Sequence, residues 1–216
     1  MNWAPLPEGP FDLIAADPNW RFTAFSDKGL GRAPERHYKT ATLDEICSLP
    51  VRDVAATNCH LMLWITGPAL VAGYHGIVLR AWGFEPSAIG FVWVKNLKHN
   101  ELKLAPSDYR IRKDGILVLK KHISASDFKM GLGHTTRQNA EFVVLGRRGR
   151  PRRYSKAVHQ LIVDPLREHS RKPDAFFQAA EKYAAPDARR LELFARQPRA
   201  GWTSWGDEIN KFAEAA

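Results

Sequence analysis

Asp17-Pro18-Asn19-Trp20 stands directly after the apolar run Phe11–Ala16. A carboxylate, a proline-fixed backbone and an aromatic ring at this spacing suit a pocket for a flat base with an exocyclic amine. Asp17 would accept one amine hydrogen, and the Pro18 carbonyl, lacking a ladder partner, would accept the other. Trp20 would stack on the ring. The same four residues also read as an ordinary strand end closed by an Asp-Pro turn, with Trp20 in the core. Other chemistries lack their residues. There is no Gly-x-x-x-x-Gly-Lys-Ser/Thr run for nucleotide phosphates and no Gly-x-Ser-x-Gly nucleophile turn. The 8 His and 2 Cys show no zinc spacing, so no metal is expected.

The elements that must position these residues alternate. Phe11–Ala16 reads as a buried strand that stops at Pro18, because proline cannot donate to a central ladder. Asn19 to Tyr38 reads as a long loop, and Thr42 with Glu45 fits a capping box opening a helix that ends before Pro50. His60–Ile65 predicts a second strand, followed by a helix from Pro68 to about Trp82 with Gly83 as its C-terminal cap. Further strands are expected at Ala88–Lys95, Ala140–Leu145, Leu161–Val163 and Arg190–Phe194, with helices at Pro173–Ala184 and Glu208–Ala216. Asp114-Gly115 between β-prone flanks predicts a hairpin with a two-residue turn within Tyr109–Lys121. Apolar strands alternating with helices argue for an α/β domain with a mostly parallel sheet, whose ligands sit at the carboxyl ends of strands.

With 216 residues, 44% of them hydrophobic, and 7 Trp and 11 Phe, the chain can bury a full core without disulfide staples. Cys47 and Cys59 read as reduced. The formal net charge of +9 favours a polyanionic partner such as nucleic acid. Two basic segments stand out, Lys95–Lys121 and Gly146–Lys156. In the second, Arg147, Arg148, Arg152 and Arg153 are candidates for phosphate contacts, against the plainer reading of a solvated surface loop. The N-terminus has no apolar signal segment, and Cys59–Leu79 is broken by Thr66-Gly67-Pro68, so a cytoplasmic protein with no membrane span is expected.

The order of the motifs resembles the MT-A70 family of S-adenosylmethionine-dependent adenine-N6 methyltransferases. Asp17-Pro18-Asn19-Trp20 matches the family's Asp-Pro-Pro-Trp signature. His37-Tyr38-Lys39-Thr40, Leu63-Trp64-Ile65-Thr66-Gly67 and Trp93-Val94-Lys95 follow in order. Arg137-Gln138-Asn139-Ala140-Glu141, Ser170-Arg171-Lys172-Pro173-Asp174, Glu192-Leu193-Phe194-Ala195-Arg196 and Trp202-x-x-Trp205-Gly206 complete the match, from about Phe11 to about Gly206. The resemblance implies a Rossmann-like methyltransferase domain, a mostly parallel central sheet flanked by helices. It makes residues 1–216 a single domain with an inserted basic hairpin at about 96–130. It also implies a methyl donor, S-adenosylmethionine, and a nucleic-acid substrate, DNA ahead of RNA, in a bacterial or phage-like setting.

Residue by residue, the resemblance implies that Asp17 and Pro18 bind the N6 amine and that Trp20 and Tyr38 contact the adenine. Lys172 would pair with the donor carboxylate, and Arg196 and Asp207 would hold its ribose. Glu192 is either a residue of the donor pocket or an outward-facing one. Asn19 departs from the family's Pro, and Asn19→Pro is expected to keep or raise activity. The departure leaves open a non-catalytic binding protein of the same fold. Cytosine N4 and RNA adenine are the alternative acceptors.

Overall fold

The computed structural model describes residues 3–21, 40–96, 105–120, 124–131, 136–168 and 171–212. Tyr38 lies outside the described residues. The strands are β1 (Phe11–Ala16), β2 (Ala55–Ile65), β3 (Glu85–Asn96), β4 (Tyr109–Ile111), β5 (Leu117–Leu119), β6 (Ala140–Arg148), β7 (Leu161–Pro165), β8 (Arg190–Leu193) and β9 (Thr203–Trp205). The helices are α1 (Leu43–Cys47), α2 (Val51–Val54), α3 (Gly67–Val71), α4 (Tyr74–Ala81) and α5 (Asp174–Tyr183).

Seven strands form one sheet in the order β7-β3-β6-β2-β1-β8-β9. Only β6 runs against the others, pairing antiparallel with both β2 and β3. β1 lies between β2 and β8, parallel to both, and is therefore buried on both faces. Its Ile14 and Ala16 join a core with Ile46, Leu61, Val78, Leu79 and Trp82, beneath α1, α2 and α4. Its Leu13 and Ala15 join a second core with Trp64, Trp93, Phe176 and Phe177, beneath α5. Phe176 meets Trp64 edge-on at 4.8 Å and Phe91 at 5.5 Å. Its burial contributes roughly 1.5–3 kcal/mol. This is the Rossmann-like methyltransferase arrangement that the resemblance implies. The chain leaves β1 towards β2 and returns through α5 to β8 on its other side, so the sheet order reverses at the carboxyl end of β1.

Several local expectations hold. Thr42 Oγ1 accepts from the Glu45 N–H at 3.2 Å, and Glu45 Oε2 accepts from the Thr42 N–H at 2.8 Å, the reciprocal box that starts α1. Others change. The single helix expected from Pro68 to Trp82 is two, because Gly73 turns the chain at φ 77° between α3 and α4. The hairpin β4–β5 forms, but its turn has three residues rather than two. Gly115 donates to the Arg112 carbonyl and sits at φ 81°, as in a type I turn closed by a bulge. The described part of the expected last helix, through Phe212, is a set of turns, since the Phe212 N–H is drawn to the Arg196 carbonyl at 3.1 Å. Strand β9 is only three residues long, too short for a pattern to predict it. Among the described residues no helix is long and apolar enough to cross a membrane.

Candidate active site

The carboxyl ends of β1, β2 and β8 lie level, with Ala16 opposite both Leu63 and Leu193. Asp17 therefore emerges between Trp64 and Phe194. The Trp20 indole is buried, and its N–H donates to the Trp64 carbonyl at 3.1 Å. Trp20 thus anchors the turn and forms its wall. The Pro18 carbonyl, expected from sequence to be unpartnered, is not. It accepts the Trp20 N–H at 2.8 Å, which leaves one lone pair for a ligand.

Asp17 faces a chain of charges. The Lys172 ammonium, just ahead of α5, lies 3.0 Å from Asp17 Oδ2 and 3.0 Å from Glu141 Oε2. Lys95 Nζ completes the chain, 2.6 Å from Glu141 Oε1. Lys172 also sits over the Trp64 ring, 5.1 Å from its centroid. An ammonium has three donors, so Lys172 keeps one for a further acceptor. Burial raises the Asp17 carboxyl above its ordinary value, with Lys172 and Arg196 opposing and Glu141 reinforcing the rise. Burial alone would raise Glu141 too, but Lys172 and Lys95 together hold it down to about 2. For Lys172, burial works against the charge, and the two carboxylates overcome it and raise its pKa.

Glu141 belongs to one of the family motifs, yet nothing in the sequence gives it a role. It arrives here because β6 is antiparallel, so its first residues, not its last, meet the carboxyl edge of the sheet. A glutamate opening an otherwise apolar strand, AEFVVL, is the available signal.

On the β8 side, Glu192 lies opposite Ala15 and on the same face as Asp17. Its Oε2 is buried without a hydrogen-bond partner, 3.7 Å from Arg199 Nε. Burial pushes its carboxyl up to about 7, with the Arg199 guanidinium opposing and the Asp17 charge adding to the rise. Arg199 is itself held by Asp174 Oδ1 at 3.0 Å and lies over Phe177.

Phe194 then takes φ 62°, a conformation rare for a bulky residue and held by its surroundings. Trp3 and Trp205 pack against its ring at 5.7 and 5.8 Å. A Cβ at Gly206 would lie 2.6 Å from the Ala195 carbonyl oxygen, so only glycine allows the two strand ends this close. Arg196 is buried and bridges two turns. It donates to Glu208 Oε2 at 2.7 Å and to Asn19 Oδ1 at 3.2 Å. Asn19 therefore does more than replace a proline, because its amide holds Arg196 across 177 positions of sequence. Asp207, Trp3, Phe194, Trp205 and Glu208 line one cleft with Arg196, and Asp17, Lys172, Glu192 and Phe212 line its neighbour.

The structure thus brings Asp17, Pro18, Asn19, Trp20, Lys172, Glu192, Arg196 and Asp207 to one edge of the sheet. Arg147, Arg148, Arg152 and Arg153 belong to the opposite end. Arg148 pairs with Cys59, five positions along β2 from Trp64, a rise of about 17 Å. Its guanidinium donates to the Arg52 carbonyl, and to that of Ala55 at 3.3 Å.

The family model named MT-A70 matches residues 11–208. The Type II methyltransferase M.MunI of Mycoplasma sp is 28% identical over 222 residues, covering 94% of this chain and 80% of the relative. The human N(6)-adenine-specific methyltransferase METTL4 is 30% identical over 206 residues, covering 94% of this chain but 38% of its own length. The N6-methyladenosine RNA methyltransferase MTA1 of Cryphonectria parasitica is 29% identical over 213 residues, with 94% and 53% covered. An MT-A70-like N(6)-adenosine-methyltransferase of Arabidopsis thaliana is spanned over only 24% of its length.

Proposed function

The chain belongs to the MT-A70 family, and on that premise we propose that it transfers a methyl group from S-adenosylmethionine to the N6 amine of adenine in DNA. The observation that carries the proposal is the Asp17 carboxylate at the end of β1, backed by the Pro18 carbonyl and gripped by Lys172. The Type II methyltransferase relative, matched over four-fifths of its length, weighs towards DNA and a cytoplasmic setting. The relative whose name specifies RNA is matched over 53% of its length.

The side chains present fit the donor. Glu192 offers to its ammonium a buried carboxylate oxygen that only Arg199, at 3.7 Å, approaches, and Lys172 offers its remaining N–H to its carboxylate. Asp207 and Arg196 suit ribose hydroxyls, beside the apolar wall of Trp3, Phe194 and Trp205. When bound, the donor supplies an electrophilic methyl group on a sulfonium.

The chain's own residues do the rest. An adenine amine has its lone pair delocalised into the ring. The Asp17 carboxylate accepts one amine hydrogen and the second lone pair of the Pro18 carbonyl accepts the other, which lets the nitrogen present its lone pair to the methyl group. Lys172 and Trp20 fix these two acceptors, so catalysis is mainly orientation and electrostatic complementarity. As the N–C bond forms, the bond from the methyl carbon to sulfur breaks with its electron pair left on sulfur, and the amine loses one proton. Asp17, already its acceptor and raised in pKa by burial, is placed to take it.

Asp17→Ala tests this directly. Transfer of labelled methyl to an adenine-containing oligonucleotide should fall by about 10²–10³-fold, while circular dichroism shows a folded protein. A near-parental rate would remove Asp17 from the mechanism.

A further inference from the structure

At the end of the sheet opposite Asp17, a cleft of about 270 Å³ opens beside the tip of α5. Its lining includes His60, Ser87, Arg147, Arg153 and Tyr183. Three strands bring these groups together. The β2–β6 register sets His60 against Arg147, and Ser87 occupies the irregularity where β3 shifts between Pro86 and Ala88. The loop after β6 is tied down on both sides. Gly149 turns it at φ 64° where a Cβ would lie 2.3 Å from the Thr57 carbonyl oxygen. The Arg150 N–H donates to Asn58 Oδ1 at 2.8 Å, and the Tyr154 N–H to the Tyr183 carbonyl at 2.8 Å. Arg153 is thereby held near the Tyr183 phenol, and the Tyr183 ring meets His60 edge-on at 4.9 Å.

The polar groups of this cleft converge, with the His60 imidazole held on one side by a hydrogen bond to the Arg152 backbone. His60 Nε2 is buried and has no hydrogen bond. Among the described residues, neither the Arg147 nor the Arg153 guanidinium has a carboxylate within ion-pair distance, and no lining residue is acidic. Arg148, by contrast, turns away and is bound to the carbonyls of Arg52 and Ala55. At the end of β6 and in the loop after it, Arg148 is thus structural, while Arg147 and Arg153 face a concavity. Two planar guanidinium forks, a hydroxyl and a phenol beside the His60 imidazole make a donor-rich set suited to a tetrahedral oxyanion.

We propose that this cleft is a second ligand site, separate from the methyl-transfer centre, that binds a phosphate group. Free phosphate monoesters and the phosphodiesters of a nucleic-acid strand present the same oxygens, and the experiment separates them.

The full chain is titrated by calorimetry with inorganic phosphate, with adenosine 5′-monophosphate and with a single-stranded oligonucleotide. The same titrations are repeated on Arg147→Gln/Arg153→Gln and, separately, on His60→Gln. Binding of at least one probe should weaken about tenfold or more in the double variant. Binding of S-adenosylmethionine should stay at the parental level. Weakening confined to phosphate and the monophosphate assigns the site to a free anion. A fall of about 0.7 in the log–log salt slope for the oligonucleotide, for each phosphate no longer neutralised, assigns it to a strand. The proposal is overturned if the parent binds none of the probes at millimolar concentration, or if the double variant binds them all as the parent does. It does not rest on methyl transfer, so its failure would leave that reading intact.

Discussion

Glu141→Gln removes one charge from the chain Lys95–Glu141–Lys172–Asp17 while keeping nearly the same shape. The fold holds the Glu141 carboxyl down from 4.5 to about 2, a difference worth about 3 kcal/mol at 1.36 kcal/mol per unit. The sign follows from the depression. The stabilisation is fully present above the ordinary value of 4.5 and is lost as pH falls towards about 2. At pH 7 the variant should therefore melt about 6–12 °C below the parent, at roughly 2–4 °C per kcal/mol for a chain of this size. Denaturant unfolding across pH should show the two proteins converging below pH 4.5. A second readout tests the coupling to Asp17. The Glu141 charge helps to raise the Asp17 carboxyl, so its removal should move the acid limb of the pH–rate profile to lower pH. Equal melting temperatures at pH 7, or a deficit that stays constant down to about pH 2.5, would refute the argument that Glu141 acts through its charge.

Glu192→Gln should do the opposite to stability. The fold raises this carboxyl from 4.5 to about 7, so the ionised form is a burden above that pH, and the variant should gain about 3 kcal/mol at pH 8 and nothing near pH 4. Denaturant midpoints at the two pH values check it, and calorimetry should show weaker binding of S-adenosylmethionine. Asn19→Pro, expected from sequence alone to be neutral or helpful, should instead weaken donor binding about fivefold, because Arg196 loses its Asn19 Oδ1 acceptor. An unchanged KM for the donor would show that this hydrogen bond has no role. Asn19→Asp, which keeps an acceptor for Arg196, should bind the donor as well as the parent.

Much of the site is readable in the sequence because its signals are local. Asp17 follows a strand that proline must end, Thr42 and Glu45 cap each other three residues apart, and Gly83 closes α4 at φ 82°. What escapes depends on register and on long-range contact. One antiparallel strand accounts for two surprises. It carries Glu141 into the site at its start and takes Arg147 and Arg148 to the far end of the sheet at its finish. A sequence pattern shows that β6 is apolar but not which way it runs. The Asn19–Arg196 contact joins residues from opposite ends of the chain, and no spacing rule foretells it. The break at Gly73 is hidden because a single glycine inside a helical pattern costs only about 1 kcal/mol and is often tolerated.

The most direct test of the account follows the methyl group itself. The purified chain is incubated with labelled S-adenosylmethionine and, separately, with DNA and with RNA, and each product is digested to nucleosides and resolved. Label is expected in N6-methyldeoxyadenosine from the DNA, with about 10²–10³-fold less from the Asp17→Ala variant. Label in N4-methylcytosine, label in RNA alone, or no transfer to either polymer by a folded, donor-binding protein would contradict it.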